Sequence, residues 1–354
     1  MANSSDISET QLLLSYGEKV CMNLLKDHTT QQNIYWATDS YAELGDGFSF
    51  YDSITIEKIT GDNDKMIRPR AVKSKEEQTK RVRDMAEVFT PSWICNAQNN
   101  LIDEAWFGRP GGLFNSPDPN NPQGWINNEE KIMFPAGKTW KDYVADTRLE
   151  ITCGEAPYLA NRYDAVTGEF NRVAKYRIGM LDRKLRIVSE NAKDSKEWIL
   201  WGKVALRATY GFEWQGDNLL LAREALFFTF AEHYIEQFGE RKFNQNKMRM
   251  MPGAAYIISW NVWQMDGLKF GLPGYDPYVE KKIVHDPNAP QLFDDSFFEE
   301  EKHEIQPHER LCLIKDFFDG VNLKKASLKA QDFHDLKAPK QTFKSLVNKT
   351  NKTS

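Results

Sequence analysis

One segment near the middle of the chain constrains its fold more than any other: Arg148-Leu149-Glu150-Ile151-Thr152-Cys153-Gly154-Glu155-Ala156-Pro157-Tyr158-Leu159. Apolar, β-prone residues run into a Cys-Gly turn, and a short aromatic and apolar stretch follows. A strand that ends in a glycine turn brings backbone N–H groups close to a nucleotide-like ligand, because glycine accepts dihedrals and contacts that a Cβ forbids. The expectation is an α/β unit with a strand over 148–153. Such turns recur in α/β proteins, so the surrounding chain decides what this one means.

At 354 residues the chain can form one large domain or two ordinary ones. No apolar run approaches the roughly 20 residues that span a bilayer, and the polar start lacks the basic-then-apolar order of a secretory signal. Four cysteines, Cys21, Cys95, Cys153 and Cys312, are spread without a CxxC pair. They read as reduced thiols, and a cytoplasmic, non-membrane protein is expected. The six histidines show no metal spacing. A net charge of −5 argues against a generally basic nucleic-acid coat protein, but local charge decides such contacts. One basic group lies between Lys65 and Arg83, and a second comprises Arg172, Lys175, Arg177, Arg183, Lys184 and Arg186. Each reads either as a solvated face or as a phosphate-contacting patch. An acidic run between Asp294 and Glu304 opposes them.

In chain order, a helix is expected around Gln11 to Leu25 and a strand at Ile54-Thr55-Ile56, with no chemistry in that region. The polar stretch Lys65–Arg83 reads as a linker entering a helix. Thr90 is a good N-cap, with Pro91 at the first helical position. Residues 108–139, rich in Gly, Pro and Asn, read as a long surface loop. Asp194 and Glu197 have capping-box spacing ahead of a helix. Tyr210-Gly211-Phe212-Glu213 reads as a short strand ending in a carboxylate, followed by a buried helix over 218–238 that Gly239 ends. Ala255–Trp263 reads as a further strand leading to Asp266. Leu311–Ile314 reads as a last core strand, and the Lys-rich tail from Leu323 is expected to be loose.

With these stretches in order the chain resembles the adenine-specific DNA N6-methyltransferases, most closely the modification subunits of restriction systems. Glu87-Val88-Phe89-Thr90-Pro91 matches the family's Glu-Val-Phe-Thr-Pro form. Glu150 to Leu159 aligns without gaps to Asp-Pro-x-Cys-Gly-x-Gly-x-Phe-Leu, with Glu for Asp and Ala156 for the second Gly. Tyr210-Gly211-Phe212-Glu213 with Ala222-Arg223 fits a third motif. Asn261-Val262-Trp263-Gln264-Met265-Asp266-Gly267-Leu268 fits Asn-Ile-x-x-Gly-Asp-x-Leu, apart from Met for Gly. The likeness covers about residues 81–270.

The resemblance implies a Rossmann-like α/β fold that binds S-adenosylmethionine. It places an N-terminal extension over 1–80, the methyltransferase-like domain over 81–320 with long loops at 108–139 and 271–308, and a tail over 321–354. By resemblance Phe89, Thr90 and Pro91 border the cofactor. Glu150, Cys153 and Gly154 lie near its methionine part, Glu213 binds the ribose, and Asp266 takes the adenine amino group. The implied partners are DNA and a restriction or specificity subunit. The family's (Asn/Asp)-Pro-Pro-aromatic catalytic motif, which holds the target amino group and stacks on the extruded base, is missing. Asp316-Phe317-Phe318 follows an apolar strand at the right point in the order and is the preferred substitute. Asp276 and Tyr278 are the alternative. Two functions stay open: methyl transfer to adenine N6 in DNA, and a methyltransferase-like binding subunit that has lost the chemistry.

Overall fold

The computed structural model describes residues 8–277, 309–319 and 335–350. It is a mixed α/β protein with small, separate sheets. The first half holds α1 (Glu9–Tyr16), α2 (Glu18–Leu25), α3 (Ile56–Ile59), α4 (Lys75–Met85) and α5 (Ser92–Phe107). A hairpin of β1 (Asn115–Asp118) and β2 (Asn121–Asn127), then α6 (Trp140–Ala145) and β3 (Arg148–Glu150), complete it. The second half runs α7 (Met180–Asn191), α8 (Ser195–Arg207), β4 (Thr209–Glu213), α9 (Gly216–Phe238), α10 (Glu240–Asn261) and β5 (Val262–Gln264). It closes with β6 (Leu313–Lys315), β7 (Lys340–Thr342) and the C-terminal helix, here α11 (Phe343–Thr350). No described helix is long and apolar enough to cross a membrane.

The sheet that matters for function has the order β3-β4-β5, and both pairings are parallel, with Glu150 opposite Gly211 and Glu213 opposite Gln264. Parallel neighbours need long crossovers, and here each is a helix pair, α7–α8 and then α9–α10. The α7–α8 pair lies in the long interval between Glu150 and Glu213. The strands are short because helices supply most of the core. Trp198, Phe227, Phe230 and Tyr234 pack with Leu24, Leu25 and Trp36 from the N-terminal segment. A smaller apolar cluster joins Phe212 and Trp263 of the sheet to Cys312, Ile314 and Phe343.

Local capping explains several boundaries. Ser74 and Glu77 form a reciprocal capping box, so α4 begins inside the stretch read as a linker. Asp194 accepts from the N–H groups of Lys196 and Glu197 and starts α8 as expected. Gly17 divides the first expected helix into α1 and α2.

Other expectations are corrected. Ile54–Ile56 is not a strand: Tyr35 and Ser53 form an isolated bridge, and Ile56 begins α3. Ala255 to Asn261 is the last two turns of α10, and only Val262–Gln264 is extended. A short run of buried apolar residues fits either state, and length decides it here. The helix-to-strand switch is held by Arg223, fully buried, which donates to the carbonyls of Val262 at 2.7 Å and Ser259 at 3.2 Å. β6 pairs antiparallel with β7 and does not extend the parallel sheet. The tail is anchored where it is described, because Phe343 packs its ring on Trp263 and Phe212, centroids 5.2 and 6.0 Å apart. The expected loop at 108–139 contains the β1–β2 hairpin.

Candidate functional site

β3 ends at Glu150, and the chain turns sharply back toward β4 through residues with left-handed backbone. Thr152, Gly154 and Ala156 have φ of 46°, 52° and 61°. Only at Gly154 does the residue type suit the dihedral; a β-branched threonine there is a genuine outlier. The Cys153 N–H donates to the Phe212 carbonyl at 2.8 Å, so the turn lies against the end of β4. A Cβ added to Gly154 would sit 3.1 Å from the Phe89 ring, so glycine also permits the close approach of that ring.

The turn, the end of β4 and the segment before α5 enclose a cleft of about 1300 Å³. Its walls include Phe89 and Thr90, then Glu150, Cys153 and Gly154, and Glu213 with Trp214. Six of the eight residues expected to contact a cofactor therefore meet in one place. Pro91 stands outside the lining as the N-cap of α5, whose Ser92 N–H is taken by Asp164 at 2.8 Å. That corrects the expectation of a Thr90 cap: the acceptor comes from a residue far along the chain, where local pattern is silent. Asp266 also stands outside the lining. Its carboxylate accepts from the N–H groups of Leu268 and Lys269 and closes the turn after β5.

Glu150 and Glu213, both in the cleft lining, are held in unlike ways. Glu150 accepts from Tyr158 N–H at 3.4 Å and Leu159 N–H at 3.2 Å, so it closes its own turn. Burial, reinforced by Glu213, raises its pKa well above the ordinary carboxylate range. Glu213 accepts from Gly154 N–H at 2.8 Å and Gln215 N–H at 3.3 Å. Its pKa is pushed up to about 7, chiefly by burial. Cys153 is a packing thiol, fully buried and with its pKa raised by burial.

The expected catalytic residues do not join the cleft. Asp316 accepts from Phe318 and Asp319 N–H groups and forms a tight turn. Phe317 is buried in the main core, and Phe318 packs against it. Asp276 pairs with Lys269 at 3.1 Å, away from the lining, and Tyr278 lies outside the described residues, as does the acidic run 294–304.

The second basic group is corrected in four of its six members; Arg172 is exposed and Lys175 half-buried. Arg177, Arg183, Lys184 and Arg186 are buried, where Glu232, Asp103, backbone carbonyls and Glu190 hold them in turn. They are internal struts. From the first group Lys80 and Arg83 do reach the cleft rim from α4, and both are exposed.

Several cleft residues carried no sequence signal. Ala37 to Ser40 and Phe50 come from the N-terminal segment read as lacking chemistry. They are held there because the Gln264 side chain bonds both backbone groups of Tyr35, and Gly216 N–H donates to Trp36 O at 2.8 Å. A Cβ on Gly216 would lie 2.0 Å from the Tyr35 oxygen. Gln215 and Asn218, at the start of α9, line the floor. Among the described residues no group of His, Cys, Asp and Glu is placed to hold a metal ion.

No protein-family model matches the chain, and no curated protein or solved structure matches it.

Proposed function

We propose that this cleft binds S-adenosylmethionine and that the chain transfers the methyl group to adenine N6 in DNA, as the modification subunit of a restriction-modification or defence system. One observation carries the reading. Phe89 and Thr90, Glu150 to Gly154, and Glu213 belong to three motifs far apart in sequence, and all line one cleft where β3 and β4 end. Ligands of open α/β sheets bind beyond the carboxyl ends of the strands. Parallel strands joined through helices agree with a Rossmann-like core, which is part of the same proposal.

The residues present fit the cofactor. Glu213 offers a buried carboxylate to a ribose diol, and Gly154 lets the Phe89 ring pack close against the turn. Trp214, 37% exposed, offers a ring face next to Glu213. The cleft exceeds the roughly 300–1,000 Å³ of an ordinary small-ligand site, which leaves room for an extruded base. Bound here, the cofactor supplies a methyl group on a positively charged sulfur. The protein's part is to hold the two reactants in line and shield them from water. Lys80 and Arg83 at the rim supply positive charge for a DNA backbone.

A second reading, a cofactor-binding subunit without chemistry, draws support from Asp316 and Phe317, which are committed to a turn and to the core. Calorimetric titration with S-adenosylmethionine, followed by tritiated-methyl transfer to mixed DNA, separates the two. Binding and transfer are expected. Absence of binding overturns the cofactor assignment, and binding without transfer, even with partner subunits added, leaves the second reading.

A further inference from the structure

The parallel sheet grows in one direction only. Each crossover carries the next strand further from β3, which leaves β3 as an outer strand of the order β3-β4-β5. In open parallel sheets the ligand crevice forms where the strand order reverses, with strands on both flanks. The cleft lies at the carboxyl end of β3, yet among the described residues a strand flanks β3 on the β4 side alone. Arg148 N–H donates to Ala208 O at 2.9 Å, and Arg148 and Glu150 stand opposite Thr209 and Gly211. Alternate residues of a parallel ladder bond to the same neighbour, so the N–H and C=O of Leu149 point to the other, open side.

The cleft continues along that side. Its lining is not confined to the strand ends but takes in Leu149 and Ile151, together with Gln98 and Ile102 of α5. Arg148 reaches Asp103 of α5 at 3.6 Å, so the helix stands beside the strand as the far wall. Leu149 is 41% and Ile151 66% exposed, whereas parallel strands are normally covered on both faces. By register Leu149 shares a face with Phe212 and Trp263, which Phe343 of α11 covers. The cover reaches β4 and β5 and leaves β3 bare. An apolar edge with free backbone groups is a template for an added strand.

What the site lacks has the same address. Asp316 and Phe317 are committed to a turn and to the core, and Asp276 pairs with Lys269 away from the cleft. A strand laid parallel to β3 ends at the cleft, so the residues that follow it face the ligand. A second copy of this chain carries no (Asn/Asp)-Pro-Pro-aromatic segment to put there. We infer that a different polypeptide adds a strand parallel to β3 along this groove. Its carboxyl end completes the site with the acid or amide acceptor and the aromatic ring that grip the target base. The inference rests on the methyltransferase reading above and names the partner which that reading requires.

Residue-resolved hydrogen exchange on the full chain alone tests the edge. The Leu149 amide should exchange freely while that of Glu150 is protected; a protected Leu149 amide means the chain covers its own edge and overturns the inference. A benzophenone crosslinker placed at position 151, in cells that produce the protein, then fixes the partner for purification. Methyl transfer to DNA by the reconstituted pair should exceed that of either polypeptide alone by at least about 100-fold. Leu149→Pro removes the outward N–H but no bond to β4, so it should fold, with thermal melts as the check. It should bind the partner at least about 10-fold more weakly. Ile151→Asp, which leaves the backbone intact, repeats the test on the apolar contact. No crosslink outside the chain, a crosslink to a second copy, full transfer by the chain alone, or unchanged partner affinity in both folded variants overturns the inference. If the pair forms through β3 but binds no S-adenosylmethionine, the methyltransferase reading has failed while the docking edge stands.

Discussion

The Gly154 N–H donates to Glu213 Oε2 at 2.8 Å, which ties the turn after β3 to the last residue of β4. The bond joins residues 59 positions apart and sets the width of the cleft between two strand ends. It also engages the carboxylate that, on the proposed reading, accepts from a ribose. On that reading, ligand binding shares or replaces this contact, and the ionisation of Glu213 is coupled to both stability and affinity.

That coupling has a definite sign. The folded pKa of Glu213 is raised to about 7 from the ordinary glutamate value of 4.5, so the folded state holds its proton more tightly than the unfolded chain. Its stabilising contribution is complete below about pH 4.5 and is lost as the pH rises through about 7, for at most about 3 kcal/mol. Glu150, also raised by burial, adds a slope of the same sign. Urea melts from pH 4.5 to 8 should show wild-type stability falling more steeply than that of Glu213→Gln. Affinity should move the other way, strengthening toward pH 8 because the ionised carboxylate is the better acceptor for ribose hydroxyls. Identical melting slopes in the two proteins would remove Glu213 as the titrating group.

Thr152 holds a φ of 46° on an exposed turn, with its hydroxyl bonded to the preceding carbonyl. Left-handed backbone costs a β-branched residue about 1–2 kcal/mol, against about 0.5–1 kcal/mol of extra unfolded-state freedom for glycine. Thr152→Gly should therefore raise stability by roughly 0.5–1 kcal/mol in chemical denaturation. The same change loosens a cleft wall, so affinity for S-adenosylmethionine should fall. A destabilised variant would mean the surrounding turn imposes no strain.

The cleft was legible where a motif and its fold position coincide. Glu213 ends a strand because Tyr210 and Phe212 favour extension and a helix begins at Gly216, so its place at the cleft follows from sequence order. The internal basic struts were not legible. Nothing local in Arg177 or Arg183 announces Glu232 or Asp103, which lie 55 and 80 residues away. Composition reports charge and is silent on burial. The N-terminal contribution was hidden for a related reason, since Ala37 to Ser40 reach the cleft only through backbone bonds of Tyr35 and Trp36 to distant partners. Asp316 shows the converse: its order in the chain fits a motif, but a tight turn uses its carboxylate.

Arg183 tests the strut assignment. It donates to Asp103 at 2.6 Å, Asn96 at 2.7 Å and Asn100 at 2.8 Å with its side chain 1% exposed. Arg183→Met strands the Asp103 carboxylate, to which Tyr143 donates and near which Arg148 lies at 3.6 Å. A loss of about 3 kcal/mol is expected in denaturant melts. Adding Asp103→Asn should restore part of it by removing the stranded charge. A fall in DNA affinity with stability unchanged would return Arg183 to the class of phosphate contacts.

Lys80 and Arg83 supply the contrasting case. Both rise from α4 at the cleft rim, and the Arg83 side chain is 72% exposed with Asp84 at 2.7 Å as its partner. Neither is built into the core, so Lys80→Ala/Arg83→Ala should fold as wild type does. If both contact phosphates, each releases condensed counterion on binding and contributes about 0.9 to the slope of log affinity against log salt. The double variant should lower that slope by nearly 2 and weaken binding to all duplex sequences alike, since phosphate contacts carry no base information. Its affinity for S-adenosylmethionine alone should stay within about twofold of wild type, because Gly154 and Glu213, the groups proposed to face the cofactor, are untouched. Titration of labelled duplexes at several salt concentrations measures the slope. An unchanged slope would mean DNA approaches the cleft from another side.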